Sequence, residues 1–293
     1  MKKSTKIWIG VGAFVIAGAP AAQTVLAGST SIPPSGFTQK SDGSMSTMRM
    51  RLAQHAGHGA TAQQSGEGEG GEAGGEGGAN LPPDQLFTLR IAQIRGHLFV
   101  GNELVKGKQW DAALPHFLHP SEEIYAGIKD QLKDYNTPEF EEALTALADS
   151  VKDKKGGAAY TKAWKTVNDS LVAAEASIKA KQKDFAPFTM TVVLALVKSA
   201  LGEYGNAIED GKFTKPVEYQ DARGFIFHGE DMLKVVAADL KKKDAKAFGN
   251  VQKAIRELKS AFPGPTPPKK PKLDLAKFSI AASRLELAAS PLQ

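Results

Sequence analysis

From Asp84 onward, apolar residues recur at spacings of three, four and seven, and this helical period leaves little room for any fold but a bundle. Phe87, Ile91, Ile94, Leu98 and Val105 mark a helix over about 84–106, which Gly107 closes. A second helical region runs from Trp110 to Leu132, interrupted by Pro115 and Pro120. A third follows Asn136 or Thr137, with Pro138 in its first turn and Glu139 and Glu141 near its positive end. The fourth spans Ala158 to Lys183 and carries Tyr160, Trp164, Val167, Leu171 and Ile178 along one stripe.

The remainder repeats the scheme. Helices are expected from Pro187 to Asp210, ended by Gly211, then from Pro216 to Lys241 and from Ala245 to Ala261. Beyond the proline-broken stretch Pro263 to Pro271, a last one covers Asp274 to Ala289. A single amphipathic helix cannot bury its stripe alone, whereas four facing stripes close a core. The expected fold is all-α, two tandem antiparallel four-helix bundles over residues 84–183 and 184–293. Internal duplication is supported by two ordered matches. Gly101, Asn102, Gly107 and Lys108 fall against Gly205, Asn206, Gly211 and Lys212. Further on, Glu122 and Glu123 meet Glu230 and Asp231, and Gln131-Leu132-Lys133 meets Asp239-Leu240-Lys241.

The start of the chain reads differently. Lys2, Lys3 and Lys6 precede an apolar run from Ile7 to Ala17, followed by small residues and Val25-Leu26-Ala27. This is the pattern of a secretory signal over residues 1–27, too short in its apolar part for a membrane span, which needs roughly 20 residues. The protein is expected to be periplasmic or secreted, without stable membrane insertion. Residues 28–83 are rich in Ser, Gly, Pro and Glu, and the stretch from Gly66 to Gly78 holds only Gly, Glu and Ala. Such a segment cannot offset its ordering entropy and is expected to be a disordered linker. Within it, Met45, Met48, Met50, His55 and His58 combine thioether and imidazole groups, a set suited to copper.

Composition removes several chemistries. Cysteine is absent, which excludes thiolate metal sites, disulfides and cysteine nucleophiles. The 37 basic residues against 32 acidic ones leave too small an excess for nucleic-acid binding. No phosphate-binding glycine loop, Gly-x-Ser-x-Gly, His-Glu-x-x-His or paired Glu-x-x-His motif is present, so an enzyme is not expected.

What remains is a histidine–carboxylate pattern. In the stretch from Pro115 to Tyr125, His116 and His119 are three residues apart, and Glu122 and Glu123 follow His119 at helical spacing. Imidazole nitrogen with carboxylate oxygen is a ligand set for iron, zinc or copper. Pro120 allows a second arrangement, with His119 capping a new helix that Pro120 begins. His97 sits mid-helix beside the apolar stripe, and His228 lies just before Glu230 and Asp231; both join the candidate metal ligands. Tyr219, Asp221 and Arg223 read as a buried salt-bridge cluster on the His228 helix.

The signal sequence, the two helical halves and the His-x-x-Glu element from His119 to Glu122 together resemble the imelysin-like family, which includes periplasmic iron-uptake proteins of the EfeO type. The resemblance implies a helical periplasmic body over about 84–290, a metal site that includes His119 and Glu122, and iron as the preferred ion. Copper is second, on the strength of the methionine and histidine tail. The expected function is binding of a transition-metal ion for uptake or delivery, with a membrane transporter or another periplasmic protein as partner. The alternative is a non-catalytic scaffold or small-molecule-binding module using the groove between the helical halves.

Overall fold

In the computed structural model, Gly78 and residues 80–293 are described, all within the unit Ser65–Gln293. The proposed signal over 1–27 and the tail with Met45, Met48, Met50, His55 and His58 lie outside the described residues. Ten α-helices are present among the described residues: α1 Pro83–Lys106, α2 Trp110–Ala113, α3 Pro115–His119, α4 Glu141–Lys152, α5 Ala158–Lys181, α6 Phe185–Asn206, α7 Pro216–Val235, α8 Ala237–Lys243, α9 Ala245–Lys259 and α10 Leu275–Ala289. The fold is all-α. The second half forms a four-helix bundle in which α6 packs on α7 and α10, and α9 packs on both α7 and α10. The first half closes similarly through α1, α3, α4 and α5.

Departures from the sequence reading have local causes. Pro138 lies in the extended approach to α4, which begins only at Glu141, so it does not occupy a first turn. The helix expected to reach Asp210 stops at Asn206, because Asp210 and Gly211 take positive φ (49° and 70°) and turn a two-residue hairpin, β1 Ile208–Glu209 with β2 Lys212–Phe213. The helix expected from Pro216 to Lys241 breaks at Val236 into α7 and α8. By length and composition α6 could cross a membrane, but 61% of its most apolar window is buried against the other helices.

The two halves share one apolar core, and α1 is the shared element: it packs on α5 in its own half and on α6 and α7 in the other. The closest approach is between Gly96 and Gly224. A Cβ on Gly224 would stand 2.3 Å from the Gly96 carbonyl oxygen, and one on Gly96 would stand 2.5 Å from the Phe225 ring. Partners run in opposite order, Arg95 by His228 and Glu103 by Arg223, so the helices are antiparallel. The contact also pairs equivalent residues of a short repeat. Arg95-Gly96-x-x-Phe99-x-Gly101 matches Arg223-Gly224-x-x-Phe227-x-Gly229. The rings of Phe99 and Phe227 lie tilted against each other beside the glycines, with centroids 5.6 Å apart.

Candidate metal centre

A glycine seam brings three helices together around one carboxylate. Gly96 and Gly224 admit α7 to α1, and Gly101 admits α3, since a Cβ there would come 2.7 Å from the Phe117 ring and 3.1 Å from the His116 Cβ. His97 on α1, His116 and His119 on α3, and Asp221 on α7 therefore meet. Nδ1 of His97 and Nδ1 of His116 each lie 2.7 Å from Asp221 Oδ1, and Nδ1 of His119 lies 3.5 Å from Oδ2. His97, His116 and Asp221 have ligand atoms all within 4.8 Å of one another. His97 and His116 are fully buried and Asp221 is 1% exposed, while His119 keeps 12% of its side chain open to solvent.

The hydrogen-bond partners fix where protons can be. The Gln220 amide nitrogen donates to the Pro265 carbonyl (3.1 Å), so its oxygen faces His116 Nε2 at 2.9 Å and accepts from it. His116 Nε2 therefore carries hydrogen. In the neutral ring Nδ1 is then a lone pair, and it looks at a carboxylate oxygen 2.7 Å away. Two acceptors at that distance in a buried site require a proton between them, and a metal ion could replace that proton only if the pair opened. Burial alone would raise the Asp221 carboxyl, but the charges of His97 and His116, with hydrogen bonds from His116 and His119, outweigh it and hold the group well below the usual carboxylate range.

The donors suit a transition metal. Ligand atoms about 2.0–2.1 Å from a tetrahedral ion stand roughly 3.3 Å apart, so the 2.7 Å contacts have to open by about half an ångström. Three nitrogens with one oxygen and no sulfur are suited to iron, zinc, nickel or copper rather than calcium or magnesium. The His116–Gln220–Pro265 chain supplies the outer support that holds a ligating imidazole in one tautomer.

Three sequence-expected ligands are placed elsewhere. Glu122 is exposed and Glu123 half-buried, and neither belongs to the converging group. The reason is Pro120, whose missing N–H loosens the helix into a π turn over Pro120–Ile124, with the Tyr125 N–H bonded back to the Pro120 carbonyl. Helical i+3 and i+4 register is lost there. His119 itself keeps helical dihedrals and makes no capping bond, so its ring is available to Asp221. His228 sits two turns beyond Asp221 and faces Arg95; burial and that charge lower its pKa to about 3. The neighbouring guanidinium opposes a metal cation as it opposes the proton.

Asp221 and Gln220 are the site residues the sequence reading did not assign to a metal. The Asp221 salt-bridge expectation is corrected: Arg223 pairs with Glu103 (2.7 Å), and Tyr219 donates to the Gly264 carbonyl (2.9 Å). The available signal was an acid among Tyr219, Ala222, Phe225 and Ile226, a stripe that places it in the core.

Residues 178–290 match the family model of the iron permease-associated 4-helix bundle domain. The second half is thus similar to an iron permease-associated helical domain, and the match is not specific to the imelysin-like family. The match includes Asp221, Gln220 and Pro265 and leaves His97, His116 and His119 outside it. No curated protein and no solved structure matches the chain.

Proposed function

We propose that this protein binds a divalent transition-metal ion, iron first, between His97, His116, His119 and Asp221, and carries it for uptake in company with a membrane permease. The observation that carries the reading is the convergence of His97, His116 and Asp221, three buried ligand groups whose donor atoms all lie within 4.8 Å of one another. The similarity of residues 178–290 to an iron permease-associated domain points to iron as the cargo and to a permease as the partner. A set rich in imidazole nitrogen, with a single carboxylate, favours the ferrous over the ferric ion, and leaves a net charge of about one on the loaded centre. Binding of Cu²⁺ is expected to be tighter still, in line with the general order of divalent affinities, so the ion carried depends on supply. The protein acts as a carrier and not as an enzyme. The lysines and apolar run at the start of the chain support export to the periplasm. The imelysin-like resemblance contributes His119 to this site; Glu122 is not among its ligands.

Metal analysis of the purified protein after anaerobic loading with Fe²⁺ tests the reading. One ion per chain is expected, lost in Asp221→Ala and His116→Ala and retained in Glu122→Ala. Loss of nothing in the first two variants, or an unloaded native protein, overturns it.

A further inference from the structure

The four donor groups differ in how they meet solvent. His97, His116 and Asp221 are at most 1% exposed, and together they form the tight group with ligand atoms within 4.8 Å. His119 keeps 12% of its side chain in solvent and turns a buried Nδ1 toward Asp221 Oδ2 at 3.5 Å. Its ring stands perpendicular to that of His97, with centroids 5.3 Å apart. It therefore lies between the carboxylate and bulk water. The other sides of the centre are closed. Behind His97 the Gly96 and Gly224 backbones are in contact, and the Phe225 ring packs edge-on at 5.1 Å. Behind His116 the Gly101 backbone leaves no room for a methyl group, and Gln220 occupies Nε2. The groove between α5 and α7, lined in part by Arg95, His228 and Asp231, contains none of the four donors.

We infer that His119 is the gate past which a divalent transition-metal ion enters and leaves the centre, an inference that rests on the metal-binding reading above. The ring sits where the backbone can yield. His119 is the last residue of α3, a helix of five residues, against the roughly 12–15 that a helix needs to persist without tertiary support. Pro120 follows; it has no N–H to bond back into α3, and it begins the wider π turn. His97 and Asp221 are instead carried by α1 and α7, helices of 24 and 20 residues whose backbones touch at Gly96 and Gly224. Rotation of the His119 ring, or a small shift of α3, uncovers Asp221 Oδ2 while the α1–α7 contact stays in place. Side chains that reach solvent change rotamer far faster than packed helices move, so the gate opens without the site coming apart. A gate of this kind sets the barrier to entry and exit together and leaves the equilibrium to the ligands.

The rates separate a gate from an ordinary ligand. Loss of an ordinary contact shows mainly in the off-rate and leaves the on-rate nearly unchanged, whereas loss of a gate raises both. Anaerobic stopped-flow mixing of the full chain with Fe²⁺ gives kon, and transfer from the loaded protein to excess chelator gives koff. In His119→Ala both are expected to rise by about tenfold or more, with one ion still bound per chain by His97, His116 and Asp221. His119→Phe keeps a ring across the opening but no nitrogen, and its kon is expected to stay at or below the native value. Thermal melts check that both variants are folded. A native kon in His119→Ala overturns the gate, and so does an equal rise of kon in the two variants. A native chain that takes up no Fe²⁺ overturns the metal-binding reading itself, and the gate with it.

Discussion

Replacing Gly224 with alanine adds one methyl group where α7 crosses α1 most closely against the Gly96 backbone. The new Cβ would stand 2.3 Å from the Gly96 carbonyl oxygen and 2.8 Å from its carbon, both backbone atoms that cannot rotate away. Ordinary van der Waals contact requires more than 3 Å, so α1 and α7 have to separate by about 1 Å. Overpacking of this kind costs about 1–3 kcal/mol, and the rigid neighbour places this site at the upper end. Alanine is the better helix former by about 1 kcal/mol, which leaves a net loss of roughly 2 kcal/mol. For a chain of this size that is a fall in Tm of about 4–8 °C. The same substitution at Gly249 in α9, where an added Cβ meets nothing within 4 Å, keeps only the propensity gain and is expected to stabilise by up to about 1 kcal/mol. Because His97 and Asp221 sit on the two helices being separated, Gly224→Ala is also expected to weaken Fe²⁺ binding at least tenfold, whereas Gly249→Ala leaves it unchanged. Urea unfolding and metal titration of both variants measure the pair of effects. Equal stability and equal affinity in the two variants would refute the idea that the glycine seam builds the site.

Removal of the Gln220 amide by Gln220→Ala leaves the His116 Nε2–H without its acceptor, and a 10–100-fold loss of metal affinity is expected, with nitrogen shifts in NMR reporting a changed His116 tautomer. His228 gives a pH signature. Its pKa is about 3 in the folded chain against 6.5 for the ordinary imidazole, so between those values the unfolded chain binds the extra proton. Its contribution is complete above pH 6.5 and is lost as pH falls toward 3, with a slope below about 1.4 kcal/mol per pH unit because the ring is partly open to the groove. His228→Gln is expected to flatten the urea midpoint over that range, and an unchanged slope would count against the burial argument. Deletion of residues 28–77 is expected to leave the Fe²⁺ stoichiometry of the folded body at one while removing copper bound by the methionine and histidine tail.

The helices were legible because burial of an amphipathic stripe leaves a period that survives without knowledge of partners. α1 and α5 fall where their stripes and the closing Gly107 place them. Legibility failed where a single backbone feature decides the outcome: the missing N–H of Pro120, the positive φ of Asp210 and the break at Val236. In the site, histidine spacing could point to His116 and His119 because both lie on one short helix. Asp221 was hidden for a different reason. It is remote in sequence from every imidazole it meets, and only the close crossing at Gly96 and Gly224 connects them. The repeat that marks this crossing, Arg-Gly-x-x-Phe-x-Gly, is visible in the chain at 95–101 and 223–229, yet it is shorter than the match between 100–109 and 204–213.

The distribution of the donors explains why chemistry is found at the seam and not inside either bundle. The part similar to a permease-associated domain supplies the single anion, its Gln220 support and the Pro265 carbonyl that orients it. The preceding half supplies all three imidazoles, two from a turn-length helix and one from α1. A carboxylate buried in a bundle core without those rings would carry an uncompensated charge, at a cost of several kcal/mol. Three imidazoles without the carboxylate would offer nitrogen donors but no negative charge to balance a buried proton or ion. Each half is therefore electrostatically incomplete at this point, and the same convergence that satisfies the core creates the place where a metal ion can substitute for a proton.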